Sequence, residues 1–356
     1  MTESQSPALD KLRTSDFDYD LPHELIAQTP LDRRDGSRLL VLDRESGDVT
    51  HSAFSNLPDF LAPGDLLIAN NSRVIPARLY GQRETTSGSV ELLLLRREGS
   101  EWSALARPAR KLKPGERLVI PGRSPGVEAA IVLVCTQRGE GEITVRFEDD
   151  ADSRLYDYGV APLPPYITER LDDEERYQTV YASQAGSAAA PTAGLHFTQE
   201  LVTRLRALGV GWVEVTLHVG LDTFRPIAVE NVEEHHIHRE WCEVSQASAD
   251  EIAACRRRGN RVIAVGTTAA RTLETLGRTW SDDDPRGISG MTGEFIVPGH
   301  DWKIVDALLT NFHLPRSTLL MLVSALASRE AILTAYAEAV RRQYRFFSFG
   351  DAMLIR

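Results

Sequence analysis

Three histidines stand in tight, glycine- or proline-flanked apolar settings: His196 in P-T-A-G-L-H-F, His218 in T-L-H-V-G, and His313 in T-N-F-H-L-P-R-S-T. A histidine buried only for packing needs no such neighbours. One held at a loop tip or strand end, where backbone must approach a ligand, often has them. Three such settings in one chain point to a single polar site assembled from distant segments. Neutral imidazoles move protons near pH 7, so the implied chemistry is proton transfer on a polar substrate. The plain alternative is three unrelated core histidines.

Two other patterns sit close to that chemistry. A buried strand at Arg261–Val265 runs through Gly266, Thr267 and Thr268 straight into a helix carrying Arg271. A strand, a glycine turn and a helix start offer free N–H groups and a positive dipole end to a phosphate or carboxylate. Simple N-cap duty for Thr268 is the competing reading. Along Trp212–Gly220, Val213, Val215, Leu217 and Val219 share one face, which places Glu214, Thr216 and His218 together on the other. His235, His236 and His238, among Glu233, Glu234 and Glu240, could hold zinc, although no second ligand group stands at a recognisable spacing. No G-x-S-x-G, G-x-G-x-x-G or G-x-x-x-x-G-K-[ST] occurs, which removes a serine hydrolase elbow, a Rossmann fingerprint and a P-loop.

The elements that must position these residues are readable in outline. With 356 residues, two domains are expected. Residues 38–54 read as strand, turn and strand, and Asp65–Ala69 as a buried strand ending in Asn70 and Asn71. Between Arg73 and Phe147 the texture changes to short runs without helical period: Val90–Leu95, Trp102–Ala106, Arg117–Ile120, Ala129–Val134 and Ile143–Phe147. Strands so spaced suggest a small antiparallel barrel or sandwich, inserted into an α/β domain. Later come a helix from N-cap Thr198 to a stop at Gly209, a helix opened by a capping box at Ser248 and Glu251 and ending near Gly259, and helices after Ser317 and Ser328. Phe346–Asp351 reads as a turn feeding a last strand.

Composition narrows the class. Hydrophobic content of 42% and charged content of 26% are those of an ordinary globular chain. No apolar run approaches the ~20 residues of a membrane span, and the polar start lacks a signal peptide's apolar core. Cys135, Cys242 and Cys255 show no C-x-x-C spacing, so a reducing cytoplasm is expected. The net charge of −11 argues against a wholesale nucleic-acid coat but leaves room for a local basic face. The clusters available are Arg107–Lys113, Arg256–Arg261 and Arg341–Arg345, the last two at apparent helix C-termini, where cations suit the dipole anyway.

Long segments in order resemble the S-adenosylmethionine:tRNA ribosyltransferase-isomerase family of queuosine biosynthesis. They include F-D-Y-D-L-P (17–22), P-G-D-L-L-I-A-N-N-S-R-V-I-P-A-R-L (63–79), P-L-P-P-Y-I (162–167), the three histidine motifs, R-V-I-A-V-G-T-T-A-A-R-T-L-E and the terminal Y-R-F-F-S-F-G-D-A-M-L-I. The resemblance implies transfer of the ribosyl part of S-adenosylmethionine to 7-aminomethyl-7-deazaguanine at the wobble position of a tRNA. Rearrangement gives epoxyqueuosine and releases adenine and methionine, with S-adenosylmethionine as co-substrate and no metal. The fold implied is α/β: a discontinuous mixed-sheet catalytic domain (16–72 and 151–356), an inserted small antiparallel β-barrel domain (73–150), and a disordered tail (1–15). His196, His218 and His313 become the acid/base candidates, with base and acid unassigned. Gly194, Thr267, Thr268, Arg271 and Asn311 become the cofactor contacts, and Arg73, Arg78, Lys111 and Lys113 the tRNA phosphate contacts. A cytoplasmic monomer is expected. Glu294, His300 and Leu221 depart from the family's usual apolar, aromatic and small residues, and Glu294 reads as pH-sensitive or edge-exposed. The rival readings are a zinc hydrolase built on His235 and His238, and a non-catalytic RNA-binding protein.

Overall fold

The computed structural model describes residues 12–139, 141–220, 227, 229–235 and 237–356. The chain divides into two compact units, one of Met1–Ser72, Pro165–Gln184 and Pro191–Arg356, the other of Arg73–Pro164 and Ala185–Ala190.

The first unit is built on strands β1 (Arg38–Leu42), β2 (Val49–Ala53) and β3 (Leu66–Asn70) from the N-terminal part of the chain. A short β4 (Ser72–Val74) follows, which pairs with β11 (Gln184–Ser187). The second unit holds β5 (Arg78–Arg83), β6 (Ser89–Glu98), β7 (Glu101–Arg107), β8 (Arg117–Ile120), β9 (Ala130–Gly139) and β10 (Glu142–Phe147). These close into an antiparallel barrel in the order β10-β7-β6-β5-β8-β9. Period-two alternation fills it: Val90, Leu92 and Leu94 from β6 meet Trp102, Ala104 and Ala106 from β7, with Leu118, Val132, Val134, Ile143 and Val145 opposite.

After the barrel the chain alternates helix and strand. The elements are α1 (Gln199–Ala207), β12 (Gly211–Leu217), β13 (Glu240–Val244), α2 (Gln246–Arg257), β14 (Val262–Val265), α3 (Thr267–Gly277), β15 (Ile288–Thr292), β16 (Ala307–Asn311), α4 (Thr318–Leu326), α5 (Arg329–Arg341) and β17 (Ala352–Ile355). They complete a nine-stranded sheet in the order β15-β13-β12-β3-β14-β16-β17-β1-β2. The sheet is mixed: β12, β3, β14 and β16 run parallel, β17 is antiparallel to β16, and β1 is parallel to β17. One face packs Leu67, Ala69, Val265 and Leu309 against α1 and Phe54. The other packs Ile68, Ala264, Leu308 and Phe312 against α2 through α5. Strands β3, β14 and β16 are therefore buried on both faces, as parallel strands between helix layers must be, while β12 keeps one polar face.

Caps set the helix starts. Thr198, Ser317 and Ser328 each accept the backbone N–H three residues on. In α2 the cap is Ser245, not the Ser248 expected from the capping box. The hydroxyl of Ser248 instead donates to the Glu214 carbonyl, tying the helix to β12. The segment expected as a tail is tied down from Arg13 onward: Arg13 bridges to Asn231, the Thr14 N–H meets the Glu230 carbonyl at 2.8 Å, and Phe17 is fully buried. Residues 1–11 lie outside the described part.

Candidate active site

The parallel arrangement brings the C-terminal ends of β12, β3, β14 and β16 to one edge of the sheet. In open α/β sheets ligands bind outside these carboxyl ends. At this edge stand His218 after β12, Asn70, Asn71 and Ser72 at the end of β3, Gly266–Thr268 after β14, and Asn311 and His313 at the end of β16. The register of β17 and β1 adds the starts of those strands, with Ser37 and Asp351.

Asn70, fully buried, locks the middle of this edge. Its Nδ2 donates to the Leu217 carbonyl (2.9 Å) and to Thr268 Oγ1 (3.2 Å), and its Oδ1 accepts the N–H groups of Leu217 (3.0 Å) and Ser72 (3.1 Å). Three segments are thus fixed by one amide. Next to it, Asn71 receives the Thr216 hydroxyl (2.8 Å) and donates to Glu214 (3.3 Å). The polar face expected for Glu214, Thr216 and His218 is therefore matched, side chain for side chain, by Asn71 and Ser72. Strand β12 itself ends at Leu217, one residue before the histidine.

His218 is half-buried, stacks on Trp241 with centroids 5.3 Å apart, and shares a hydrogen bond between Nδ1 and Ser72 Oγ (2.7 Å). Its Nε2 has no hydrogen-bond partner among the described residues. Burial lowers its pKa from the ordinary imidazole value. His196 is buried in the turn Thr192–His196, stacked on Phe54 at 4.9 Å, with Nδ1 at 2.9 Å from Ser37 Oγ and Nε2 at 3.1 Å from Asn311 Nδ2. Burial brings its pKa down to about 4; a hydrogen bond to the Arg34 backbone opposes the shift, and the Arg345 and Arg34 charges add a little to it. His313 is also buried: Nε2 meets Thr310 Oγ1 at 2.9 Å, and its N–H donates to Tyr336 Oη at 3.0 Å. Burial takes it to about 3.

The three histidines do not converge. Consecutive strand residues point to opposite faces. His196 bonds Asn311 and His313 bonds Thr310, so the two rings lie on opposite faces of the sheet. His218 stands three strand spacings from β16, roughly 14 Å away. They share an edge, not a hydrogen-bond network.

The expected cofactor contacts divide in the same way. Gly266, not Thr268, is the N-cap of α3; its φ of +89° needs glycine, and no side chain caps the helix start. Thr267 opens the helix, and Thr268 is engaged by Asn70. Asn311 Oδ1 accepts the Thr192 hydroxyl at 2.9 Å. Gly194 is a packing glycine, since a Cβ there would meet Tyr181 Oη at 2.0 Å. Arg271 is buried, in an ion pair with Glu240 and a bond of 3.0 Å to the Glu294 carbonyl, while its Nη2 has no hydrogen-bond partner among the described residues. Glu240 in turn receives the Gly220 N–H at 2.8 Å. That guanidinium holds the segment after His218 in place.

Of the expected tRNA contacts, Lys111 and Lys113 are exposed. Arg78 is half-buried and paired with Glu91 at 3.5 Å, and Arg73 reaches Tyr156 Oη at 3.4 Å. The other basic clusters are partly neutralised, Arg256 by Asp282 and both Arg341 and Arg342 by Glu338. Glu294 is neither edge-exposed nor alone: it is buried and paired with Arg278 at 2.6 Å. His300 Nε2 meets the buried Glu274 at 3.1 Å. Leu221 and His236 lie outside the described residues, and among the described residues no three His, Cys, Asp or Glu side chains gather as a metal site.

A family model described as queuosine biosynthesis protein matches residues 14–355. The chain belongs to this family. It is 51% identical over 352 residues to a protein of Acetivibrio thermocellus and 53% identical over 345 residues to one of Symbiobacterium thermophilum. Both are named S-adenosylmethionine:tRNA ribosyltransferase-isomerase, and each alignment covers 97% of this chain and 100% of the relative. A crystal structure of S-adenosylmethionine tRNA ribosyltransferase from Thermotoga maritima aligns with a TM-score of 0.56 at 40% identity, covering 96% of this chain and 100% of that one. The family is one of enzymes, and this member shares the mixed sheet and closed barrel expected from the sequence.

Sequence reasoning gave no site role to Asn70, Asn71, Ser72 or Ser37, although these orient His218 and His196. The available signal was the pair of amides ending the otherwise apolar L-L-I-A strand.

Proposed function

We propose that this enzyme transfers the ribosyl portion of S-adenosylmethionine to 7-aminomethyl-7-deazaguanine at the wobble position of a tRNA. It then isomerises that portion, so that epoxyqueuosine forms and adenine and methionine leave. The observation that carries the proposal is the polar edge at the ends of β12, β3, β14 and β16, in a chain of this family. The sulfonium acidifies the adjacent C5′ protons, so a base is required, and departing adenine gains from a proton donor. His218 suits the proton-handling role best: it is the most accessible of the three, Ser72 orients it through Nδ1, and Nε2 is available. His196 and His313 are neutral at pH 7 and act as fixed hydrogen-bonding groups. The uncapped start of α3 at Thr267 offers N–H groups to an anionic or strongly polar part of the substrate.

In this reading tRNA meets the exposed Lys111 and Lys113, with Arg73 and Arg78 of the same unit, and the protein acts as a cytoplasmic monomer without a metal. Incubation with S-adenosylmethionine and a tRNA carrying the deazaguanine precursor, followed by nucleoside mass analysis, tests it. Epoxyqueuosine and free adenine are expected in equal amounts. Adenine release without tRNA modification, or activity abolished by chelation and restored by zinc, would overturn it.

A further inference from the structure

A cleft beside His196 carries charge that the reading above does not use. It opens to solvent and is lined by Arg34, Arg176, Ser37, His196, Ser348 and Gly350, among others. Arg34 donates to the Leu195 carbonyl at 3.3 Å and the Glu175 carbonyl at 3.0 Å. Arg176 donates to the carbonyls of Asp32 at 3.4 Å and Leu31 at 2.5 Å. Neither forms an ion pair among the described residues, whereas the adjacent Arg33 is held by Asp35 at 3.1 Å.

Two half-buried guanidiniums whose hydrogen bonds all go to carbonyl oxygens are an unbalanced arrangement. Burial first, and the Arg176 charge second, push the Arg34 pKa down, with Asp173 and Glu175 acting in the opposite sense. Arg176 Nε is buried without a hydrogen-bond partner. A third guanidinium, Arg345, also half-buried, bonds the Thr29 carbonyl, leaves Nη1 without a partner and acts electrostatically on His196. Carbonyl bonds fix the orientation of these planar groups, and their remaining N–H groups match a planar or tetrahedral oxyanion.

We propose that this cleft is an oxyanion subsite in which Arg34 and Arg176 clamp a phosphate or carboxylate group, with His196 and Ser37 forming its wall. The clamp stands on the arginine geometry alone. It rests on the proposed function only for its two natural sources, a backbone phosphate of the tRNA or the methionyl carboxylate of the co-substrate.

Inorganic phosphate titrated calorimetrically into the full-length wild-type protein is the first test, and saturable binding is expected. The Arg34→Gln, Arg176→Gln double variant should weaken it by about tenfold or more, and the paired Lys variant, which keeps the charge but loses the fork, should fall between the two. Phosphate should also compete on the wild type with one natural ligand. Competition with tRNA identifies the nucleic-acid phosphate. Competition with S-adenosylmethionine, but not with its decarboxylated analogue, identifies the carboxylate. Absence of saturable phosphate binding by the wild type overturns the proposal, as does wild-type affinity in the folded Gln variant. If the Gln variant does not fold, failure of phosphate to compete with either ligand on the wild type overturns it equally. None of these readouts requires turnover, so failure here is separable from failure of the proposed reaction.

Discussion

The Nδ2 of Asn311 lies 3.1 Å from the Nε2 of His196, and this one contact fixes the tautomer of the ring. An amide nitrogen only donates, so Nε2 accepts, the proton sits on Nδ1, and Ser37 Oγ receives it at 2.9 Å. The Thr192 hydroxyl donates to Oδ1 of the same amide. A protonated ring would turn an N–H against the amide's own hydrogens. That repulsion acts in the same direction as burial, which brings the pKa to about 4.

Asn311→Asp should therefore raise the pKa of His196 by about 1–3 units, because a carboxylate now faces Nε2 and favours the charged ring. Proton NMR titration of the imidazole reads this directly. An unchanged midpoint would mean that Asn311 does not set the state of the ring.

His218→Ala should reduce turnover by about 10²–10⁴, the usual worth of a positioned acid or base, while costing only about 1 kcal/mol of stability. The ring is half-buried, so the fold has little to lose. Single-turnover rates and urea midpoints on the same preparation separate the two effects. A variant that unfolds easily but keeps full activity in its folded fraction would make this histidine structural.

His313 should contribute to the loss of stability in acid. An unfolded histidine titrates near 6.5, whereas here burial holds it at about 3. The unfolded state binds the extra proton over that interval, so stability is complete above about pH 6.5 and is lost progressively as pH falls toward 3. His313→Asn should lower stability at pH 7 and flatten the decline between pH 6.5 and 4, by at most about 1.4 kcal/mol per pH unit. Parallel declines in urea unfolding would assign the acid sensitivity elsewhere, with His196 next.

Local rules made much of the fold legible. The caps Thr198, Ser317 and Ser328, the glycine turn at Gly266 and the alternation in Val90–Leu94 each act within a few residues, and each stands where the pattern placed it. Ser248 shows where such rules stop: its hydroxyl goes to Glu214, 34 residues away, and the cap falls to Ser245. The site is legible in its histidines and illegible in their partners for the same reason. Ser37 and His196 are 159 residues apart, Ser72 and His218 are 146 apart, and no period or spacing links them. Arg271 reads as a ligand contact because it follows a helix start. Only the neighbouring strand β13 shows that Glu240 claims it.

Binding of tRNA by a chain of charge −11 must depend on cations that no carboxylate has already taken. Lys111 and Lys113 are exposed, while Arg78 is paired with Glu91. Removing one lysine–phosphate interaction should flatten the slope of log affinity against log salt by about 0.7–0.9. Lys111→Ala with Lys113→Ala should therefore reduce the slope by about 1.4–1.8 if both touch phosphate. Adding Arg73→Ala and Arg78→Ala should change it less than the lysines did, because Arg78 already spends its charge on Glu91. Affinity for S-adenosylmethionine should stay unchanged, since these residues belong to the barrel unit and not to the sheet edge bearing the histidines. Fluorescence titrations of the double and fourfold variants between low and moderate salt measure both quantities. An unchanged slope in the fourfold variant would move the RNA face off the barrel, and the Arg34 and Arg176 cleft would then be the next surface to test.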